Sequence, residues 1–366
     1  MTLVWLGFVT LILALLALDL GVFHRQARAV TVREALGWSA VWIVLGLSFS
    51  VFVYSGYEKR WLGLGEAKDA VEATAEQPEG TANDGGSAFV KYLTGYIVEK
   101  SLSIDNVFVI ALIFSSLGVP AAFQHRVLFW GVLGALALRG VMIAAGARLI
   151  AEFSWVLYIF GGFLVLTAIK MLLMQEAADP NDSWMVKLTR RILPVTERFH
   201  GEHFFVRAGS AASHEPESPG ASVQPDAVVA RAVPGALLLT PLALALVMVE
   251  GSDLVFAVDS IPAIFAITAA PFLVFTSNVF AILGLRSLYI ALSGALKSLH
   301  YLKYALALVL AVIGVKMLAH HWLKALLGPS FSLYVLALVL LILATGVVAS
   351  LRRQSGPPAR PRPPAG

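Results

Sequence analysis

Long apolar runs separated by short polar stretches dominate the chain. Nine of them, of about 17–25 residues each, lie near Leu3–Phe23, Leu36–Tyr57, Tyr92–Leu117, Val127–Ile150, Phe153–Met174, Gly235–Ala257, Phe272–Leu296, Lys303–His320 and Phe331–Leu351. A hydrocarbon core about 30 Å thick takes about 20 residues of helix. Lipid offers backbone N–H and C=O groups no partner, and the runs are too long and too uniformly apolar for barrel strands. The pattern predicts an all-α, polytopic transmembrane helical bundle of about nine spans.

Composition agrees. Hydrophobic residues make up 58 % and charged residues 14 %, against about 25 % charged in a typical soluble domain. The absence of cysteine excludes thiolate metal sites, Fe–S clusters and thiol chemistry. A net charge of +4 is no signature of nucleic-acid binding; in a chain embedded in the lipid bilayer, basic residues report which loops face the cytoplasm. His24, Arg25, Arg28 and Arg33 follow span one, His125 and Arg126 precede span four, Lys187, Arg190 and Arg191 lie after span five, and Arg352, Arg353, Arg360 and Arg362 mark the tail. The segment 58–91 instead holds seven acids and four bases. The consistent orientation has the N-terminus outside and the C-terminus in the cytoplasm. Residues 1–350 then form a single transmembrane domain, with 65–88 an external linker, 175–234 a cytoplasmic loop and 351–366 a disordered cytoplasmic tail. Leu188–Arg207 has room for a short interfacial helix broken at Pro194.

An internal repeat underlies the spans. Ile104–Phe108 matches Ser252–Phe256, Leu136–Ala144 matches Leu283–Ala291, and Ile169–Leu172 matches Val315–Leu318, at shifts of 148, 147 and 146 residues. Spans three and six enter the membrane from opposite sides, so the predicted repeat is an inverted 3+3, spans 3–5 against spans 6–8. Transporters built this way place their site near the midplane.

Ionisable groups at that depth cost several kcal/mol, and here they cluster. Span three carries Glu99, Lys100 and Asp105, span six Glu250, Asp253 and Asp259, and spans four and seven Arg139 and Arg286. Glu250 and Asp253 share a helix face. Glu99/Asp105 and Asp253/Asp259 are each six residues apart, so a straight helix cannot bring either pair onto one ion. A break at Pro262, loosened by Gly251 and Ser252, would allow it, with weaker slack at Gly95 and Ser101. With Asn106, and with Ser101 and Asn278 as possible polar ligands, this is hard oxygen chemistry suited to Mg²⁺, Ca²⁺ or Mn²⁺. Lys100, Arg139 and Arg286 are assigned to charge pairing, the arginines with Asp105 and Asp253. Lys170 and Lys316 are expected to snorkel, and Asp19 to be interfacial. His200 and His203 read as ordinary loop histidines. No nucleotide-binding, hydrolase or metalloprotease motif is present. The chain is therefore not expected to be an enzyme or to hold a permanent cofactor.

Three segments resemble signatures of the TerC family of tellurium-resistance integral membrane proteins. They are Glu99–Val109 (EKSLSIDNVFV), Glu250–Ala263 (EGSDLVFAVDSIPA) and Phe275–Arg286 (FTSNVFAILGLR). The resemblance covers roughly residues 1–350. It implies a bacterial inner-membrane protein of the LysE-like transporter group, with manganese export or a role in tellurite and metal stress. The family's acidic and amide positions carry over to Asp105, Asn106, Glu250, Asp253 and Asp259. Ala269-Ala270 departs from the polar residues expected before Pro271, and the insertions at 65–88 and 208–228 are atypical. The leading expectation is export of a divalent cation, most simply Mn²⁺, with protons as possible coupling ion. The alternative is a non-transporting scaffold that docks stress-response partner proteins through the 175–234 loop. Paired aspartates also invite comparison with intramembrane aspartyl proteases, whose motif context is missing. Reporter fusions at residues 75 and 215 should read periplasmic and cytoplasmic, respectively; the same side for both would remove the inverted repeat.

Overall fold

The computed structural model describes residues 2–23, 31–72, 80–153, 155–173, 184–192, 194–210, 226–292, 302–319, 322–323, 326 and 331–354. It is an all-α bundle. The long helices are α1 (Thr2–Phe23), α2 (Val32–Glu58), α3 (Gly85–Ser116), α4 (Ala121–Glu152) and α5 (Val156–Leu173). After the short α6 (Trp184–Ile192) and α7 (Ala227–Arg231) come α8 (Pro241–Phe265), α9 (Pro271–Ile282), α10 (Leu285–Leu292), α11 (Leu302–Leu318) and α12 (Phe331–Gln354). Local chemistry sets several starts. Thr31 and Glu34 form a capping box on α2, the Asp84 carboxylate accepts from Ser87 N at 2.6 Å at the start of α3, and Thr240 caps α8 with Pro241 in its first turn.

Helices α3, α4, α8 and α9 pack on one another at the centre, and α5 pairs with α11 to one side. Helix α1 is apolar all round, so only packing distinguishes its faces. Val4, Phe8, Ile12 and Leu16 are buried, while Leu3, Leu6 and Leu13 stay exposed, as lipid-facing residues would. The buried face meets α9, with the Trp5 and Phe272 rings edge-on at 5.4 Å. At the seam between α5 and α11, a Cβ added at Gly314 would lie 2.9 Å from the Gly161 carbonyl oxygen. Small residues bring the two backbones together there.

Among the described residues, seven stretches of helix are long and apolar enough to cross a membrane. Of the nine expected spans, the remaining two correspond to α3, which carries Lys91, Glu99, Lys100 and Asp105, and to the 17-residue α11. Two expectations about breaks are corrected. Helix α8 runs unbroken through Gly251, Ser252 and Pro262. The break falls in the predicted span seven instead, where Gly284 takes φ +82 between α9 and α10. Only glycine adopts that angle without strain, and the Trp42 side chain packs against it, 2.7 Å from where a Cβ would sit.

Residues 65–88, expected to be a linker, contain an ordered latch. Strands β1 (Lys68–Asp69) and β2 (Thr81–Ala82) pair antiparallel and bring Asp69 into a fully buried position. The Asp69 carboxylate accepts hydrogen bonds from Lys91 Nζ at 2.9 Å, Asn83 Nδ2 at 3.2 Å, Ala269 N at 2.8 Å and the Thr268 hydroxyl. Lys91 also meets Glu72 at 3.1 Å. The latch ties the start of α3 to the end of α8, so these two helices run in opposite directions.

The opposite end carries a small folded element built from the predicted loop and the first residues of the predicted span six. Strands β3 (Phe205–Arg207) and β4 (Leu237–Leu239) pair antiparallel, and Leu239 N donates to the Pro194 carbonyl at 3.0 Å. Asp226 caps α7 and also accepts from Arg198 N at 2.9 Å. The element docks on the first turns of α4, where Arg126 meets Glu202 at 2.8 Å and lies over the Phe204 ring. His200, expected to be an ordinary loop histidine, is buried 3.6 Å from Asp226. Of the helix expected over Leu188–Arg207 only the first residues are helical, in α6, which ends before Pro194, and the range ends in β3.

Burial alone would raise the Asp69 pKa, but the Lys91 charge and the bonds from Thr268 and Ala269 outweigh it and hold the carboxyl below the usual range. A depressed folded-state pKa contributes stability above the unfolded value of about 3.9, and that stability is lost as pH falls through the folded value. Thermal unfolding in detergent should therefore show Asp69→Asn destabilised at pH 7 by about 3 kcal/mol. Acidification below about pH 4 should cost the variant less than the wild type. Equal stabilities at pH 7 would show that the latch carries no weight.

Candidate cation site in the bundle core

Three of the central helices contribute ionisable side chains to one buried cluster. Arg139, from α4, is almost wholly buried. Its Nη1 donates to Glu99 Oε1 of α3 and, at 2.8 Å, to Asn278 Oδ1 of α9. Its Nη2 and Nε donate to the two oxygens of Asp253, from α8, at 3.1 and 3.3 Å. Ser260 Oγ lies 3.4 Å from Nη1. The planar guanidinium suits this forked contact, which a lysine cannot make. Asn106 Nδ2 approaches Asp253 Oδ1 at 3.4 Å.

Acceptors are left over. Glu99 Oε2, Asn106 Oδ1 and Glu250 Oε2 are buried without a hydrogen-bond partner, an arrangement that costs free energy unless something fills it. Glu99 and Asn106 also line a cavity of about 140 Å³ with Arg139 and Ser260. A second space of about 20 Å³, room for one water, is lined by Asn106, Ser252 and Asp253. The larger cavity lies towards the latched end of α3, with Leu102; the smaller lies towards the other end, with Ile110 and Val249. Asn106 borders both. Glu250 lies one turn before Asp253 on α8 and presses against α4, where a Cβ on Gly134 would overlap its carboxylate.

Of the residues expected here, Glu99, Asn106, Arg139, Asp253 and Asn278 therefore come together. The side chains of Asp105 and Asp259 lie outside the described residues; their backbones fall in α3 and α8, next to Asn106 and Ser260. Among the described residues no three acidic or histidine side chains form a cluster able to hold a metal ion. The Ser101 hydroxyl donates to the Ile97 carbonyl of its own helix at 2.7 Å, the usual outlet for a mid-helix serine. Three expectations are corrected. Lys100 reaches backbone carbonyls and no described carboxylate: its Nζ donates to Ala281 O at 3.0 Å and Leu283 O at 3.3 Å. Arg286, expected to pair with Asp105 or Asp253, instead faces Asp19 of α1 at 3.7 Å. Lys316 is buried and donates to Ala266 O at 3.1 Å, while Lys170 is exposed as snorkelling requires. Ser260 was not singled out from the sequence, although its place between Asp259 and Pro262 was a signal.

A helical bundle with a paired arginine and spare acidic oxygens buried at its centre defines a polytopic membrane protein with a charged core. The family model for the TerC integral membrane proteins matches residues 84–356, and the chain belongs to that family. It is 42 % identical over 348 residues to an uncharacterised membrane protein of Myxococcus xanthus, covering 95 % of this chain and 91 % of the relative. It is 41 % identical over 318 residues to an Escherichia coli protein named as a candidate membrane-bound redox modulator, Alx, covering 86 % of this chain and 85 % of that one. An uncharacterised membrane protein of Rickettsia bellii is 34 % identical over 352 residues. No solved structure matches.

Removing Arg139 would leave Glu99 and Asp253 buried with no cation between them. Breaking a buried pair from one side costs about 3–5 kcal/mol. Arg139→Gln should unfold at a clearly lower temperature in detergent, and Arg139→Lys should recover only part of the loss. A fully stable Arg139→Gln would mean that the acids need no counter-charge.

Proposed function

We propose that this protein exports a divalent metal cation, Mn²⁺ by preference, from the bacterial cytoplasm across the inner membrane. The observation that carries the reading is the pair of buried, partnerless oxygens on Glu99 and Asn106, two residues that line a cavity, in a cluster with an Asp253 carboxylate held by Arg139. Hard dications take about six oxygen ligands from carboxylates, amide carbonyls and water. Asp253, Glu99, Asn106 and Ser260 are the described candidates, with Asp105 and Asp259 proposed to join them. In this reading Arg139 stands in for the metal between loads. An arriving dication draws Asp253 and Glu99 to itself, and Arg139 returns when the ion leaves. The spaces above and below Asn106 are the two half-paths of alternating access. Glu250, with a partnerless oxygen one turn from Asp253, is the group we assign to carry a proton in exchange. Association with tellurite and metal-stress resistance belongs to the same proposal. The redox role in the relative's name reaches this chain, in our reading, through the metal it moves, because a chain without cysteine has no thiol to cycle.

The folded element docked on α4 is the feature that favours the second reading, a non-transporting scaffold for stress-response proteins. Flux separates the two. Purified protein in liposomes should move Mn²⁺, with a trapped pH-sensitive dye reporting any counter-flow of protons. Asp253→Asn and Asp105→Asn keep side-chain size and remove the charge, so each should abolish flux at normal protein levels. Glu152→Gln, at an exposed pair with Arg148, should transport normally. Wild-type flux in either aspartate variant would remove the site, and no flux in the wild type would leave the scaffold reading.

A further inference from the structure

The break between α9 and α10 raises a problem that the transport site does not solve. A helix that ends inside an apolar bundle leaves its last carbonyls without water or N–H partners. Its C-terminus also carries about half a unit of negative charge. Here α9 ends at Ile282 because Gly284 turns the chain to φ +82. The Gly284 carbonyl is taken by Leu288 N at 2.9 Å and the Ser287 hydroxyl at 2.8 Å. Those of Ala281 and Leu283 go to Lys100 Nζ, at 3.0 and 3.3 Å. One turn earlier on α3, the Tyr96 hydroxyl is buried without a partner. Trp42, on α2, closes the break from the side.

Two carbonyls at a helix C-terminus converging on one positive charge form the arrangement by which broken membrane helices bind Na⁺. Among the described residues no carboxylate accounts for the lysine, and Glu99, its chain neighbour, is engaged by Arg139. We propose that the α9–α10 break is a monovalent-cation site whose occupant is the ammonium group of Lys100. The tethered charge takes the place of a dissolved ion, so the chain keeps its broken helix without Na⁺ or K⁺. Removing the lysine side chain opens the site to a small inorganic cation held by the Ala281 and Leu283 carbonyls. The inference concerns the broken helix and stands apart from the identity of the transported metal.

The test is thermal unfolding of the full chain in detergent, in NaCl, KCl and N-methyl-D-glucamine chloride at equal ionic strength. Wild-type protein should unfold at one temperature in all three. Lys100→Ala should be destabilised in the organic salt and regain stability with Na⁺ or K⁺ along a saturating curve, as ligand linkage requires. Lys100→Met, similar in length and uncharged, covers the case in which the alanine variant does not fold. Indifference of the folded variants to the cation would overturn the proposal. So would a wild type stabilised by Na⁺ or K⁺ over the organic cation, or failure of both variants to fold in every salt.

Discussion

Everything at the centre of this bundle is arranged around one guanidinium. A charge at the middle of a bilayer is expensive on every scale, and the cost is met by pairing rather than by water. Arg139 reaches α3 through Glu99, α8 through Asp253 and α9 through Asn278, so one side chain joins three helices to its own. Its donors are directional, and they fix the rotation of each helix about its axis as well as its position. The carboxylate of Glu99 can be fully buried only because this partner is present. The relative placement of Asn106, Ser260 and the two cavities follows from the same constraint.

The membrane class and most helices were legible in the sequence, because runs of about 20 apolar residues have one physical use. Which acids share a neighbourhood was partly legible through the repeat, which placed span three against span six. What was hidden were contacts with no local signature. The Asp69 carboxylate finds the Thr268 hydroxyl 199 residues away, and nothing near either residue announces the other. Lys100 was read as a partner for acids because side-chain charge is visible in a sequence and a freed carbonyl is not. Pro262 suggested a broken helix, yet α8 tolerates it; the break fell at Gly284, inside an apolar stretch where one glycine drew no notice. The contact between Asp19 and Arg286 was hidden because helix α1 is apolar on every side and gives no hint of the face that meets α10.

Two ends of the molecule are closed by different means. At one, buried ionic bonds from Asp69 and Lys91 hold a short hairpin over the α8–α9 connection. At the other, a small hairpin element rests on α4 through an exposed ion pair and an arginine over a phenylalanine ring. The first contact is desolvated and rigid. The second is partly hydrated, and exposed pairs of this kind contribute about 0–1 kcal/mol. The energetic cost of loosening the two ends is therefore unequal, with the hydrated end the easier to part.

The seam between α5 and α11 has a mechanical consequence. Where Gly161 and Gly314 meet, main chain lies against main chain, and the neighbouring Leu164 and Ile313 are buried in the same cluster. A joint so narrow resists separation and resists sliding, since moving either helix along its axis drives a larger side chain into the gap. Swivelling about the point of contact is the motion that costs least there. The two glycines thus act as a fulcrum, about which α5 and α11 can tilt while their separation at that depth stays constant.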